Sequence, residues 1–237
     1  MANLHNPEKR LCLALDVDNA KRAIEIVSQL KDYVGLFKVG LELFASEGPA
    51  IVKKIMHLGA DVFLDLKFHD IPHTAASVAR VATRLGVTMF NLHAPGGSEM
   101  IKLAVSSSHE EAIRLGLTPP RILAVTVLTS INDEFLEKDL LIKLPMKEVV
   151  VHFAKLTKAA GADGVIASPQ ETALIRDSCG PDFCIVTPGV RPKSAGIDDQ
   201  KRFMTPAEAI KSGSDFIVIG RPIPVSYTHL YGSQGCS

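Results

Sequence analysis

The ten residues from Asp65 to Thr74, DLKFHDIPHT, hold the residue types most suited to chemistry in this chain. Asp65, Lys67 and Asp70 place one ammonium group between two carboxylates, directly after an apolar run. Buried charges are costly unless they are paired, so a strand that ends on three of them is typical of an active site. The alternative is a solvated ion pair at a strand end, which contributes little. Because Asp65 and Lys67 are two residues apart, a strand would turn both side chains to the same side.

Eight apolar, strand-like segments alternate with helix-like segments along the chain. The strand-like segments are LCLALD (11–16), GLFKVG (35–40), DVFLDLK (61–67), TMFNLH (88–93), RILAVTVL (121–128), DGVIAS (163–168), FCIVTPG (183–189) and DFIVIG (215–220). Nearly continuous apolar strands indicate a parallel sheet that is covered on both faces. Eight strand–helix units in 237 residues therefore predict a single-domain α/β protein with the (β/α)8 TIM-barrel fold. A doubly wound open sheet is the alternative, but no G-x-G-x-x-G loop follows the first strand-like segment.

The composition restricts the class of protein. Lys and Arg together number 26, as do Asp and Glu, so the formal net charge is zero. No basic surface is expected for nucleic acid or for an anionic membrane. No apolar run approaches the roughly 20 residues of a membrane span. The four cysteines form no C-x-x-C pair, which favours buried, reduced thiols in a cytoplasmic protein.

Charged residues also mark the ends of the first two strand-like segments. In a barrel the carboxyl ends of all strands open on one face, so Asp16, Lys38, Asp65 and Lys67 should meet there, with Asp70 close by. Lys38 interrupts an apolar run and needs an acidic partner, which Asp16 or Asp65 could supply. A helix cap is the alternative role for Asp16.

The opposite side of the predicted barrel mouth indicates a phosphate site. Barrels commonly bind phosphate with the loops that follow the seventh and eighth strands. Gly220 allows a close backbone approach, and Arg221 offers a two-pronged donor. Arg191 and Gln200 lie in the long loop 188–204, which we expect to cover the ligand as a mobile lid.

Two histidines beside the acidic residues raise the question of a metal ion. His69 and His73 are four residues apart and lie near Asp65 and Asp70. Lys67 already supplies a cation to the same carboxylates and would compete with a metal. We therefore predict that the site holds no metal.

Seven segments, in order along nearly the whole chain, resemble the orotidine 5′-phosphate decarboxylase family. They are LALDVD (13–18), FKVG (37–40), DLKFHDIPHT (65–74), NLHAPGG (91–97), VTVLTS (125–130), TPGVRP (187–192) and IGRPI (219–223). The resemblance implies a homodimeric barrel that converts orotidine 5′-monophosphate to UMP and CO₂, the last step of de novo pyrimidine synthesis. It also implies that the reaction needs neither a cofactor nor a metal.

The same resemblance implies a role for individual residues. Lys67 would protonate the pyrimidine carbon that loses CO₂, within a charged array that includes Lys38, Asp65 and Asp70. Asp70 and Thr74 would come from the partner subunit. The substrate-binding residues would be Asp16, Lys38, Thr74, Thr129, Arg191, Gln200, Gly220 and Arg221. Without a cofactor to accept electrons, fixed charges in a water-poor site would have to stabilise the developing carbanion.

Two alternatives to this function remain. A hexulose-phosphate synthase-like or keto-gulonate-phosphate decarboxylase-like enzyme would share the D-x-K-x-x-D pattern but need Mg²⁺, and the FHDIPHT context argues against it. A nucleotide-binding protein without catalysis is the second, and the intact lysine and carboxylates argue against that.

The end of the sequence departs from the family pattern. Residues 224–237, PVSYTHLYGSQGCS, contain a proline and two glycines and show no apolar period. We expect a catalytic barrel over residues 1–223 and an atypical tail over 224–237, with the final barrel helix missing or altered.

Overall fold

The computed structural model describes residues 7–190 and 204–220, and within them eight strands form one closed barrel. The strands are Leu11–Ala14 (β1), Leu36–Gly40 (β2), Val62–Phe68 (β3), Met89–His93 (β4), Arg121–Val125 (β5), Gly164–Ile166 (β6), Cys184–Thr187 (β7) and Phe216–Ile219 (β8). Each strand pairs in parallel with the next one in the chain, and β8 pairs in parallel with β1 to close the sheet. The predicted (β/α)8 barrel is therefore confirmed. The predicted end of the barrel domain at residue 223 and the tail over 224–237 lie outside the described residues.

Helices connect the strands and cover the outside of the barrel. They are Ala20–Leu30 (α1), Leu41–Glu47 (α2), Ala50–His57 (α3), Pro72–Leu85 (α4), Gly97–Leu115 (α5), Asp133–Lys138 (α6), Met146–Ala159 (α7), Thr172–Cys179 (α8) and Pro206–Lys211 (α9). Two short 3₁₀ helices, Pro7–Arg10 and Ala94–Gly96, complete the described elements.

The start of α4 fixes where the charged end of β3 stands. Pro72 occupies the first helical turn, where its missing N–H costs no hydrogen bond. At the other end, Gly86 adopts a left-handed conformation and caps the helix. Only Asp70 and two neighbouring residues separate β3 from this helix, so the charged residues of the DLKFHD sequence are held between two rigid elements.

Alternation along the strands divides the core into two parts. One apolar cluster fills the barrel and takes every second strand residue, including Cys12, Ala14, Phe63, Val125 and Val218. The intervening residues, such as Leu13, Leu15, Phe37, Val39 and Leu64, pack outward against the helices. This pattern explains the nearly continuous apolar strands, because both faces of each strand are buried.

Within residues 7–190 and 204–220, no helix is both long and apolar enough to cross a bilayer. Three of the four cysteines fall in this part of the chain. Cys12, Cys179 and Cys184 are free thiols, and all three are buried.

Candidate active site

A cavity of about 290 Å³ opens at the carboxyl ends of the barrel strands. Its lining residues come from strands and from the segments that follow them: Ala14, Asp16, Lys38, Phe63, Asp65, Lys67, Val125, Val127, Leu128, Thr129, Ile166, Ala167, Pro188, Gly189, Val190, Val218 and Gly220. One part of this wall is charged and much of the rest is apolar. The cavity therefore lies where active sites of barrel enzymes are found.

The charged wall is organised around the carboxylate of Asp65. Its Oδ1 lies 2.6 Å from Nζ of Lys67, and its Oδ2 lies 3.2 Å from Nζ of Lys38. Lys38 also lies 3.8 Å from Oδ1 of Asp16. The side chains of Asp65 and Lys38 are only 11% and 13% exposed, so the contact between these two residues acts with little solvent screening. Two ammonium groups thus share one buried carboxylate, whereas the sequence predicted one ammonium group, that of Lys67, between the carboxylates of Asp65 and Asp70.

Strand register explains why these residues meet. Lys38 on β2 pairs with Phe63 on β3, so both side chains point into the barrel. Phe63, Asp65 and Lys67 then follow one another at two-residue steps, and all three line the cavity. The prediction that Asp65 and Lys67 share one side of a strand is confirmed.

The backbone at Lys67 departs from regular strand geometry. Its φ is +52°, in the left-handed region that costs a residue with a Cβ about 1–2 kcal/mol. The pairing of β3 with β4 also shifts register between Leu64 and Phe68. Strain of this kind persists only where surrounding contacts hold it, and such sites are often functional.

Asn91 on β4 supplies contacts that hold this geometry; the sequence places Asn91 at the end of a strand-like segment but does not reveal these contacts. It is fully buried; its Nδ2 donates to Oδ1 of Asp65 at 2.7 Å, and its Oδ1 accepts the backbone N–H of Lys67 at 2.8 Å. The available signal was an amide within the apolar run TMFNLH, because a buried polar side chain requires partners.

The electrostatic environment favours the charged forms of Asp65 and Lys38. Burial acts to raise the pKa of Asp65, but the ammonium groups of Lys38 and Lys67, with hydrogen bonds from Lys67 and Asn91, leave that pKa below its ordinary value. Burial acts to lower the pKa of Lys38, yet Asp65 and Asp16 leave it raised. The pKa of His93 is lowered by burial and by its neighbours His69 and Lys67.

Asp16, Thr129 and Gly220 also line the cavity, as their predicted places at strand ends require. The cap of α1 is Asn19, whose side chain accepts the N–H of Arg22, so Asp16 is not the helix cap considered as an alternative. A Cβ on Gly220 would meet Oδ2 of Asp16 at 2.8 Å, so the absence of a side chain there leaves room for that carboxylate.

The remaining residues of the predicted phosphate site are Arg191, Gln200 and Arg221, and all three lie outside the described residues. The predicted lid, loop 188–204, falls mostly in the same undescribed part. Its flanks are described, and Val190 and Met204 pair there in an isolated parallel bridge. Pro188, Gly189 and Val190 line the cavity beside Gly220.

Asp70 and Thr74 are not among the described residues that line the cavity of their own chain. Asp70 is exposed, and its Oδ1 accepts the backbone N–H of Ile71 at 2.7 Å. Nearby, the rings of His69 and His93 lie 5.3 Å apart. Among residues 7–190 and 204–220, no group of three or more His, Cys, Asp or Glu side chains is arranged to hold a metal ion.

Comparisons with known proteins agree on one family. A sequence model described as "Orotidine 5'-phosphate decarboxylase / HUMPS family" matches residues 9–228. The chain is 51% identical over 217 residues to a protein named orotidine 5′-phosphate decarboxylase from Syntrophomonas wolfei, and the match covers 91% of both chains. It is 52% identical over 214 residues to a protein of the same name from Geotalea daltonii, covering 90% of this chain and 88% of the relative.

The fold of the chain is also similar to that of a solved structure. The crystal structure of orotidine 5′-phosphate decarboxylase from Lactobacillus acidophilus superposes with a TM-score of 0.80 at 42% sequence identity. The superposition covers 91% of each chain, so the similarity extends over nearly the whole barrel.

Proposed function

Because the chain belongs to the orotidine 5′-phosphate decarboxylase / HUMPS family, we propose that it converts orotidine 5′-monophosphate to UMP and CO₂ in pyrimidine biosynthesis. The observation that carries the proposal is the ammonium group of Lys67, which faces the cavity 2.6 Å from the carboxylate of Asp65. The high identity to proteins named as this decarboxylase supports the choice of substrate.

The proposed chemistry uses Lys67 as the proton donor. The bond between the ring carbon and the carboxylate carbon breaks, CO₂ leaves, and the electron pair stays on the ring carbon. Nζ of Lys67 then delivers a proton to that carbon, which gives UMP, and the neutral amine regains a proton from solvent. An ammonium group fixed before the reaction stabilises the developing negative charge without a cost of reorganisation at that moment.

The neighbouring charges are proposed to set up this donor. Asp65 holds the ammonium of Lys67, and Lys38 balances the same carboxylate from the other side. Lys38 and Asp16, which lie next to each other at the cavity wall, are proposed to bind the ribose hydroxyls. Thr129 is proposed to contact the base.

The phosphate is proposed to bind at the opposite part of the cavity mouth. Gly220 supplies a close backbone approach, and Arg191, Gln200 and Arg221 supply side-chain donors, with Gln200 on a closing loop. A phosphate held far from the reacting carbon can use its binding energy to close the site, and that energy then stabilises the transition state.

A homodimer is proposed to complete the site. Asp70 and Thr74 stand outside the cavity of their own chain, and Ile71 beside them is 67% exposed, which suits a surface that meets a second copy. Asp70 of the partner subunit would then face Lys67 and stand close to the substrate carboxylate. The three buried, free cysteines among the described residues suit a cytoplasmic location for this enzyme.

The direct test is a spectrophotometric assay of orotidine 5′-monophosphate consumption, with and without EDTA. We expect turnover that EDTA does not change. Turnover that is lost with EDTA and restored by Mg²⁺ would instead favour the metal-dependent members of the same barrel group. No turnover of the folded protein would contradict the proposed function.

Mixing two inactive variants tests the shared site. Lys67→Ala and Asp70→Ala homodimers should each be inactive. A mixed dimer would contain one intact site, made of Lys67 from one subunit and Asp70 from the other. Random exchange between subunits should then restore about a quarter of the wild-type activity, because half of the dimers are mixed and each holds one good site of two. No recovery after demonstrated subunit exchange would contradict the shared site.

A further inference from the structure

Asn91 occupies a position that no substrate contact explains. It is fully buried on β4 and is not among the described residues that line the cavity, yet both ends of its carboxamide bond to the charged end of β3. Nδ2 of Asn91 donates to Oδ1 of Asp65. The same oxygen accepts a second hydrogen bond from Nζ of Lys67 at 2.6 Å. Oδ1 of Asn91 accepts the backbone N–H of Lys67. The three residues form a closed ring of hydrogen bonds.

The chemistry of the partners fixes the orientation of this amide. A carboxylate only accepts hydrogen bonds and a backbone N–H only donates them, so the NH₂ group must face Asp65 and the carbonyl must face Lys67. A carboxamide is therefore matched to this position, because it offers a donor and an acceptor on one planar group. A hydroxyl or an alkyl side chain could not reach both partners.

Asn91 also bonds the backbone of β3 where its register with β4 shifts. The paired residues of β3 and β4 shift register between Leu64 and Phe68, and Lys67 adopts a φ of +52° within that interval. The N–H of Lys67 donates to Oδ1 of Asn91 at 2.8 Å within this interval. The backbone N–H of Lys67, a residue in the left-handed conformation, thus has a hydrogen-bond acceptor on a side chain of the neighbouring strand.

We propose that Asn91 is a positioning residue, whose carboxamide fixes the backbone of Lys67 and the carboxylate of Asp65 together and so aims the Lys67 ammonium into the cavity. The inference rests on the proposed function, in which Lys67 delivers the proton. A long lysine side chain is flexible, and its reach to one ring atom depends on a held backbone and a held counter-ion. Displacement by about 1 Å in such a site can cost about 100-fold in rate.

The position of Asn91 separates this role from substrate binding. Since Asn91 does not line the cavity, its loss should act on the chemical step and leave the affinity for nucleotide nearly unchanged. We expect Asn91→Ala to lower kcat about 100-fold, with KM and the affinity for UMP within about threefold of the wild-type values.

Asn91→Asp provides a readout that a merely structural role would not give. With its introduced carboxyl protonated, this variant again has one donor for Asp65 and one acceptor for the Lys67 N–H, as asparagine does. With that carboxyl ionised, two carboxylates face each other and the donor is lost. Its kcat relative to wild type should therefore recover as the pH falls, whereas that of Asn91→Ala should stay low.

Other charged and titratable groups surround the same carboxylate. Lys38 on β2 and Lys67 on β3 contact Asp65, Cys12 on β1 lies in its field, and His93 on β4 is influenced by it. All of these groups are common to the wild-type enzyme and both variants. Dividing each variant's kcat by the wild-type value at the same pH removes the part of their titration that all three proteins share, and comparing Asn91→Asp with Asn91→Ala removes the part that follows from loss of the amide, since both variants lack it.

The experiment measures kcat and KM for orotidine 5′-monophosphate between about pH 5 and about pH 8, with UMP affinity by calorimetry and folding by circular dichroism. Thr83→Val is the structural control, since it removes a buried hydroxyl that bonds Ala79 and Ser108 on the outer helices. Should Asn91→Ala fail to fold, Asn91→Asp is decisive alone through its pH dependence.

An unchanged kcat in Asn91→Ala, or a kcat ratio for Asn91→Asp that does not vary with pH, would overturn the inference. A loss in Asn91→Ala no greater than that in Thr83→Val would do the same. If the wild-type protein does not decarboxylate the substrate at all, the proposed function fails; if it does and the variants keep its rate, only the role of Asn91 fails.

Discussion

Removing one ammonium group from the buried charge cluster should destabilise the fold far more than removing the same group from an exposed pair. Lys38→Met keeps the alkyl stem but leaves Asp65 without its 3.2 Å contact, in a pair whose side chains are 13% and 11% exposed. Breaking a buried pair costs about 3–5 kcal/mol. Asp65 keeps its contacts to Lys67 and Asn91, so we expect a loss near the lower end, about 3 kcal/mol.

Lys138→Met is the matched control, because it removes the same group from a helical pair. Lys138 and Glu134 are 2.8 Å apart, but their side chains are 70% and 69% exposed. Such a pair contributes about 0.3–0.5 kcal/mol. For a domain of this size, a loss of about 3 kcal/mol lowers Tm by about 6–12 °C, and the control should lower it by no more than about 2 °C.

The difference in stability should also depend on pH. The folded pKa of Asp65 lies below its unfolded value, so the stability that the charged form contributes is fully present above the unfolded pKa and is lost as pH falls through the folded pKa. The difference in free energy of unfolding between wild type and Lys38→Met should therefore become smaller as the pH falls. Denaturant titrations at neutral and acidic pH measure it. Equal losses in Lys38→Met and Lys138→Met, or a gap that widens in acid, would refute this reasoning.

Three further predictions concern the cavity and the thiols. Arg221→Ala should weaken UMP binding by about 2 kcal/mol, roughly 30-fold, while uridine binding stays the same, because only UMP carries the phosphate; calorimetry with both ligands tests this. Gly220→Ala should raise KM, because its Cβ would meet Oδ2 of Asp16 at 2.8 Å and displace a proposed ribose ligand; an unchanged KM would argue against that role. Burial raises the pKa of both Cys12 and Cys184 to about 12, so both should resist iodoacetamide in the native protein near about pH 8, and mass spectrometry of the labelled peptides would detect any modification.

The fold could be predicted from the sequence because its signal is repeated. Each of the eight apolar segments corresponds to one strand of the barrel, with only β3 running one residue past its segment, and the stretches between the segments contain the helices. Pro72 stands in the first turn of α4, a position that suits proline because no N–H is needed there. The local sequence patterns and the strands of the closed sheet therefore indicate the same fold.

The charged cluster was predictable for a different reason. Lys38 and Asp65 stand at the ends of apolar segments, and parallel strands in a barrel bring such ends to one face. Alternation then placed Asp65 and Lys67 on the same side. The structure joins them through Asp65, at 3.2 Å to one lysine and 2.6 Å to the other.

Three features of the site could not be predicted, because each depends on contacts between strands that are distant in the chain. The left-handed backbone of Lys67 follows from a register shift between β3 and β4. The bridging role of Asn91 requires that same pairing. The lack of room for a Cβ on Gly220, which would meet Oδ2 of Asp16, depends on the pairing of β8 with β1. Spacing along the sequence carries no information on such registers.

The most direct test of the central claim is the decarboxylation rate of Lys67→Ala, measured together with its affinity for UMP. We expect decarboxylation to fall by many orders of magnitude while UMP still binds, because the proton donor is gone but the ribose and phosphate contacts remain. A folded Lys67→Ala protein that decarboxylates orotidine 5′-monophosphate at close to the wild-type rate would contradict the account.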